Sequence, residues 1–248
     1  MRFDLTDEEW AILEPLIPTA RRSRRADDRR IMNGIFFVLR TGIPWRDLPE
    51  RYGPYTTAYN RFNRWSARGI WGRMFAALAA KSRDSLQMID STIVKAHRAA
   101  AGAKGGKRRQ AIGVSRGGRS TKIHALVDGQ GRPLHFVVTG GQVHDNQVVG
   151  ELLQAPRPPL AVTADKAYDS KTARQQIKDE GAVPVIPSRS NAVKKARCPK
   201  RIYRRRHKIE NFFCRIKDWR RLATRFDKLA RNFLAATCLV AALYWAML

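Results

Sequence analysis

The sequence predicts an α/β protein whose N-terminal part is helical. Residues 6–80 show helical periodicity interrupted by Gly and Pro, whereas short apolar segments typical of strands begin at about Leu86. Two later segments flank a hairpin turn sequence at residues 128–131, and the strands that follow alternate with a helix. This order favours an α/β layer structure, so we expect a helical domain over residues 1–82 and an α/β domain over residues 83–248.

The helical region has the pattern of a helix-turn-helix. A capping-box sequence at Thr6 and Glu9 predicts a first helix over residues 7–16. After an apolar helix and several Gly and Pro breaks, a helix predicted from residue 56 or 57 to residue 65 carries Arg61 and Arg64 among Asn and aromatic residues. Because Arg and Asn pair with base edges in the major groove, this helix is a candidate for reading DNA. An amphipathic helix with a solvated polar face is the alternative.

The second region is predicted to contain several short strands and two principal helices. The strand candidates are Leu86–Val94, Lys122–Val127, Pro133–Thr139, Leu160–Ala164 and Ala182–Ile186. A polar helix capped by Asp169 or Ser170 lies between the last two strands, and helix returns from about Tyr203. Residues 233–248 are apolar apart from Thr237, but they are shorter than the roughly 18 residues of a membrane span. We therefore expect a buried terminal helix and no membrane association.

Charge indicates the class of partner. The chain has 48 Lys and Arg against 21 Asp and Glu, a formal net charge of +27. Solubility of a small domain needs a net charge of only about 2 to 8, so a solubilising surface does not account for this excess. Nucleic-acid phosphate is the usual counterpart of so basic a chain, and we expect binding to double-stranded DNA.

Two segments concentrate this charge. Residues 101–120 hold six Gly and six basic residues without an acid, which predicts a flexible linker whose Lys107, Arg108 and Arg109 contact the phosphate backbone. Residues 189–208 hold ten Lys and Arg, again without an acid.

A few acids stand out in this basic chain. Asp90 lies within an apolar strand, and Asp165 follows the short strand 160–164, where open α/β sheets place their ligands. A cap, turn or salt bridge is the alternative for each, and it suffices for Asp128 and Asp169. Asp145 is less easily explained in this way.

Glu210 is the third candidate. On a helix, Tyr203, Arg206, Glu210 and Lys217 fall within roughly 60° of one face at 100° per residue. One acid among bases fits a metal ligand surrounded by phosphate contacts, although an ordinary charged surface helix gives the same spacing. Carboxylates that hold Mg²⁺ are what phosphoryl transfer on DNA requires.

Taken together, these motifs resemble insertion-sequence transposases of the family-four and family-five groups. The pattern Tyr-x2-Arg-x3-Glu-x6-Lys, here residues 203–217, is similar to their signature. Ile89-Asp90-Ser91-Thr92 resembles their first acidic motif, and residues 164–169 resemble the second, which usually has Gly in place of Ala167. Residues 5–10 and 42–49 resemble the N-terminal region of family-five members, so the resemblance covers nearly the whole chain.

The resemblance implies an RNase H-like fold, a mixed sheet flanked by helices, with a metal site built from Asp90, Asp165 and Glu210. It implies two Mg²⁺ or Mn²⁺ ions as cofactors, binding of terminal inverted repeats, cleavage at the element ends and joining to target DNA. It also implies that Tyr203, Arg206 and Lys217 hold the DNA near the scissile phosphate. Because two DNA ends must be brought together, we expect a homodimer or higher homo-oligomer on DNA.

Two other functions remain as alternatives: a metal-dependent nuclease of the same fold, and a DNA-binding repressor without catalysis. His97 and Trp219 are further candidates for DNA contact, through the scissile region and through base stacking respectively, with packing roles as the alternative. Met1 leads into charged residues instead of a signal peptide, and Cys198, Cys214 and Cys238 have no CxxC spacing, which indicates reduced core thiols. We expect a cytoplasmic, nucleoid-associated bacterial protein.

Overall fold

A computed structural model describes residues 3–18, 27–103, 106–115, 117–154, 157–192 and 194–247. The helical region contains α1 (Asp7–Leu13), α2 (Asp28–Thr41), α3 (Tyr55–Ala67) and α4 (Ile70–Ala79). The capping box is present: Glu9 N–H donates to the Thr6 hydroxyl at 3.2 Å, and Thr6 N–H donates to the Glu9 carboxylate at 2.8 Å. Local sequence therefore determines where the first helix begins.

Gly42 ends α2 for two reasons. Its φ of +77° lies in the left-handed region, which favours glycine. A Cβ atom at this position would also lie 2.9 Å from Cβ of Arg220, in the C-terminal part of the chain. The end of α2 is thus held close to a segment almost 180 residues away in sequence.

The second region is built on a mixed sheet. Its strands are β1 (Leu86–Ala96), β2 (Gly113–Ser115), β3 (Gly118–Asp128), β4 (Pro133–Gly140), β5 (Ala161–Thr163), β6 (Val183–Val185) and β7 (Thr224–Arg225). The central strand β1 pairs antiparallel with β3 on one side and parallel with β5 on the other. Beyond them, β4 pairs antiparallel with β3 and β6 pairs parallel with β5. The predicted hairpin of β3 and β4 is confirmed, with Asp128 accepting hydrogen bonds inside its turn.

In the described part of the chain, seven helices accompany the sheet. They are α5 (Gly106–Arg109), α6 (Val149–Leu152), α7 (Lys171–Asp179), α8 (Lys200–Tyr203), α9 (His207–Lys217), α10 (Arg220–Ala223) and α11 (Ala230–Ala246). Helix α7 joins β5 to β6, and Ser170 caps it by accepting a hydrogen bond from Ala173 N–H at 3.1 Å. Among the described residues, no helix is long and apolar enough to cross a membrane.

The prediction of a flexible linker over residues 101–120 is wrong at residues 113–115 and 118–120, which belong to strands. Residues 113–115 pair with β3 as strand β2, and β3 itself begins at Gly118 instead of Lys122. Long-range hydrogen bonds hold the preceding turn, since the Ala111 carbonyl accepts from the Thr121 hydroxyl at 2.6 Å and from Arg225 at 3.1 Å. A strand partner and a buried guanidinium therefore override the local composition.

The predicted burial of the C-terminal helix is confirmed. Helix α11 packs against α1, α3 and α4 of the helical region and also against β4 and α9. One cluster of buried apolar side chains extends through both regions. The expectation of thiols in the core holds only for Cys238, since Cys214 is exposed and Cys198 half-buried.

Candidate active site

The parallel pairing of β1 with β5 brings Asp90 and Asp165 together. Met88 pairs with Thr163, so each acid lies two residues beyond the same pair. Strand β5 ends before Asp165, whereas β1 continues past Asp90 to Ala96. Both acids therefore lie just beyond the carboxyl end of the parallel β1–β5 pairing, and open α/β sheets bind their ligands at such an edge.

Asp165 also has a local structural role. Its Oδ1 accepts a hydrogen bond from Ala167 N–H at 2.9 Å and so caps a turn of 3-10 helix over Lys166–Tyr168. The alternative interpretation of Asp165 as a cap or turn acid is thus correct. The same cap fixes the side chain at the strand end next to β1.

The charge on Asp90 is costly in its surroundings. Burial is the largest influence on the pKa of this carboxyl and raises it, and the nearby charge of Asp165 raises it further. The Ser91 N–H, which donates to Oδ1 of Asp90 at 2.8 Å, and the Arg206 guanidinium lower the pKa without cancelling the rise. A cation between the two aspartates would relieve both the burial and the repulsion.

Arg206 connects Glu210 to this pair. It lies in a turn of 3-10 helix, Arg204–Arg206, immediately before α9, and Glu210 follows within the first turn of α9. The guanidinium donates to Oδ2 of Asp90 at 2.7 Å and also to Oε1 of Glu210. The first and third predicted acids, far apart in sequence, therefore bind the same guanidinium.

The donor set suits a hard divalent cation. Mg²⁺ prefers carboxylate oxygens, and Asp90 and Asp165 provide them at adjacent positions. In the described part of the chain, no three acidic, His or Cys side chains converge as a complete metal site. Glu210 is paired with Arg206, so it must turn away from that guanidinium to complete the set.

A fourth acid, Asp145, lies beside this cluster. It begins a turn of 3-10 helix, Asp145–Val148, after β4. Its Oδ1 accepts hydrogen bonds from the Ser91 hydroxyl at 2.8 Å and from Lys122 Nζ at 2.9 Å. Sequence reasoning did not select Ser91 or Lys122, because their only distinction is a partner more than 20 residues away.

In the helical region, the two predicted arginines of α3 differ. Arg61 forms an ion pair with Asp28 of α2 at 2.5 Å, and its guanidinium lies 4.7 Å from the ring centre of Trp65. Arg64 is exposed, with Nε donating to the Asn60 carbonyl at 3.3 Å. Of the two, Arg64 is therefore the one whose position suits contact with a DNA groove.

The remaining basic candidates vary in exposure. Lys217 and Arg109 are exposed and Tyr203 is half-buried. Lys107 and Arg108 belong to α5, but the structure describes only their backbone.

The two aromatic candidates both make packing contacts. The exposed His97 lies against Phe226, with 4.9 Å between ring centres. Trp219 is half-buried against Phe36 at 5.8 Å, and the Arg40 guanidinium lies 5.4 Å from its ring. The packing alternative thus accounts for Trp219, and a DNA contact by either residue stays a prediction.

Comparison with known families agrees with this geometry. Residues 81–245 match the family model "Transposase DDE domain", and residues 5–75 match "Putative transposase of IS4/5 family". The chain belongs to the DDE transposases. The mixed sheet with flanking helices is accordingly RNase H-like, and the predicted fold class and family are confirmed.

Individual relatives cover about half of this transposase. It is 34% identical over 130 residues to a putative transposase for insertion sequence element IS6501 of Brucella ovis, which covers 51% of this chain and 98% of that protein. It is 38% identical over 120 residues to an uncharacterized protein, y4sN, of Sinorhizobium fredii. That match covers 46% of this chain and 96% of the relative. Among solved structures, a piggyBac transposase synaptic complex with hairpin DNA shares 15% identity at a TM-score of 0.42, over 77% of this chain and 50% of that one.

Membership in this family makes the chain an enzyme that depends on a divalent metal. The residues present agree with that dependence, because Asp90 and Asp165 lie on adjacent parallel strands two residues beyond the same pair, and Glu210 shares the Arg206 guanidinium with Asp90.

Proposed function

We propose that this transposase binds the terminal inverted repeats of its insertion sequence, cleaves DNA at the element ends and joins the freed 3′-hydroxyl to target DNA. The observation that carries the proposal is that Asp90 and Asp165 lie side by side just beyond the parallel pairing of β1 with β5, with Glu210 linked to Asp90 through Arg206. Water attacks the phosphorus at the element end and expels the 3′-oxygen, which leaves as the 3′-hydroxyl. That hydroxyl then attacks a phosphorus of the target and expels the 3′-oxygen of the target strand, so one phosphodiester bond replaces another.

Asp90, Asp165 and Glu210 are the residues that would hold the metal, which we propose to be two Mg²⁺ or Mn²⁺ ions. Such a pair activates the attacking oxygen and stabilises the leaving oxygen of a phosphoryl transfer. Glu210 has 52% of its side chain exposed, so it can turn from Arg206 towards the aspartates without unpacking α9.

The basic side chains around the acids would hold the DNA backbone. Arg206 lies within hydrogen-bonding distance of Asp90, so a phosphate bound to its guanidinium would lie next to the acids. Lys217, exposed at the end of α9, and Tyr203 would contact the same strand on either side. Their positive charges would neutralise the charge that develops on the phosphate during the reaction.

Recognition of the element ends is assigned to α3 of the helical region. Its exposed face carries Asn60 and Arg64, the residue types that form paired hydrogen bonds with adenine and guanine. Arg109 of the basic segment would contact the DNA backbone. For Lys107 and Arg108, the proposed contact with the DNA backbone depends on the sequence alone. Joining two ends requires two active sites, so we propose a homodimer or higher homo-oligomer on DNA.

A strand-transfer assay tests the proposal. Purified protein, labelled element ends, target plasmid and Mg²⁺ should yield joined products with wild type and none with Glu210→Gln. Glu180→Gln, which changes an exposed acid at the end of α7, serves as the matched control and should join DNA as wild type does. Cleavage without joining would instead support the nuclease, and tight binding without cleavage would support the repressor.

A further inference from the structure

Asp145 is held in place by charge. Its Oδ1 accepts from Lys122 Nζ at 2.9 Å, and the same ammonium donates to the Val143 carbonyl at 2.7 Å. His124 Nδ1 lies 3.7 Å from Asp145, but burial, the largest influence, lowers the pKa of His124 to about 4. The imidazole is therefore neutral at pH 7, and Lys122 supplies the positive charge that Asp145 faces.

The hydroxyl of Ser91 links Asp145 to the first acid. Ser91 follows Asp90 in β1 and uses both of its polar groups. Its N–H donates to Asp90 at 2.8 Å, and its hydroxyl donates to Asp145 at 2.8 Å. Any displacement of Asp145 is consequently transmitted to the residue that holds the Asp90 carboxylate.

Tyr168 links the same cluster to the second acid. It ends the turn that Asp165 caps, and that turn packs against the turn begun by Asp145. Tyr168 is fully buried, and its phenol oxygen has no hydrogen-bond partner of normal geometry in the described structure. Burial raises the pKa of Tyr168, and the charges of Asp145, Asp90 and Asp165 raise it further against a small opposing effect of Ser91.

An ion pair alone does not explain this arrangement. Lys122 and Asp145 could stabilise the fold as an ion pair without the added hydrogen bond from Ser91. A buried hydroxyl without a partner, such as that of Tyr168, costs free energy. Such a buried polar group needs an explanation, and a role in a functional site is one of them. Here the phenol, which makes no hydrogen bond of normal geometry, is close enough to Asp90, Asp145 and Asp165 for their charges to raise its pKa.

We propose that Asp145 is a positioning residue of the metal site. Its hydrogen bond with Ser91 holds the Asp90 segment of β1 in place relative to the Tyr168 turn, which follows Asp165. We call this arrangement the brace. The brace sets the separation and orientation of the two aspartates before a metal binds. This inference rests on the proposed metal site. It adds a residue that acts on metal affinity without touching the metal or the DNA.

Mn²⁺ binding to the full-length protein tests the brace directly. Free Mn²⁺ is measured by its electron paramagnetic resonance signal, and Asp90→Asn defines binding outside the site. Asp145→Asn keeps the shape of the side chain and removes its charge, and it should weaken site binding about tenfold, the lower end of the effect of outer-shell residues. Asp128→Asn changes a buried acid paired with Arg132 in the hairpin turn, and it should bind Mn²⁺ as wild type does.

A second variant distinguishes a loss of metal affinity from a folding defect. Asp145→Leu combined with Lys122→Met removes both charges, so no buried charge is left unpaired, and thermal unfolding confirms that the protein folds. This double variant should also lose about tenfold in Mn²⁺ affinity. Wild-type affinity in both Asp145 variants would overturn the brace and leave the proposed function standing. If wild type binds no more Mn²⁺ than Asp90→Asn does, the metal site and the brace both fail.

Discussion

Arg61 in the helical region and Arg206 in the α/β region are equally shielded, each with 17% of its side chain exposed. Arg61 pairs with one acid, Asp28, and ties α3 to α2. Arg206 pairs with two acids, Asp90 and Glu210, which are candidate metal ligands. Shielding of an arginine therefore does not reveal its role, whereas the function of its partners does.

The largest expected effect concerns the acids that Arg206 binds. Asp90→Asn should lower DNA cleavage by at least on the order of 10³-fold, the upper end of the cost of losing one electrostatic group at an active site. Because the fold raises the pKa of Asp90, its charge opposes folding at neutral pH, so thermal stability should stay equal or increase. Cleavage of labelled end DNA and calorimetry would be measured together. A large fall in stability would show that Asp90 is a structural acid like Asp28.

The next effect separates the two arginines by rate. Arg206→Ala should lower strand joining roughly 10²- to 10³-fold, because the guanidinium is next to the acids and its charge would be lost at the scissile phosphate. Arg206→Lys should recover only part of this, since an ammonium cannot reproduce the planar fork that binds two groups at once. Single-turnover rates at saturating DNA would give the result. Full activity of Arg206→Lys would contradict the view that the Arg206 side chain must bind two groups at once.

A smaller effect is expected for base recognition. Arg64→Ala should cost roughly 1–3 kcal/mol in the preference for element-end DNA over random duplex, whereas Arg61→Ala should leave that preference unchanged. Competition binding at fixed salt measures it, and Arg68→Ala, at an exposed position at the end of α3, is the control for loss of a charge. Equal loss of preference in the Arg61 and Arg64 variants would remove the distinction drawn between them.

The smallest effect is the contribution of Arg61 to stability. Arg61→Ala should lower the free energy of unfolding by roughly 1 kcal/mol, because the ring contact is worth about 0.5–1 kcal/mol and the partly exposed ion pair is screened by solvent. Denaturant unfolding would be compared with that of Asp28→Asn, which breaks the same ion pair. A change in joining rate below the unfolding temperature would show that Arg61 takes part in the reaction.

Features that depend on neighbouring residues could be predicted accurately. The capping box at Thr6, the turn at Asp128 and the Ser170 cap of α7 are all present where expected. The strand carrying Asp90 was predicted as residues 86–94 and extends over Leu86–Ala96. Each of these depends on the alternation of apolar residues or on a hydrogen bond within a few positions.

Composition was misleading where a distant partner decided the structure. Residues 113–115 lie in a Gly-rich, basic segment, yet they form a strand because they pair with the first residues of β3 and because Arg225 holds the preceding turn. The positions of Ser91, Lys122 and Tyr168 around Asp145 could not be predicted either. Their contacts join β1, β3 and two turns that are separated by 20 residues or more.

The sequence by itself determined the class of fold, the family and the identity of the three candidate acids, because periodicity, turn chemistry and motif spacing are local properties of the chain. Only the tertiary structure decided which of the 48 basic residues meet those acids, that Arg61 faces Asp28, and that Asp145 accepts a hydrogen bond from the residue after Asp90. Charge on its own does not specify a partner. The packing of the sheet against its turns selects one, since it places a few side chains within hydrogen-bonding distance of each acid.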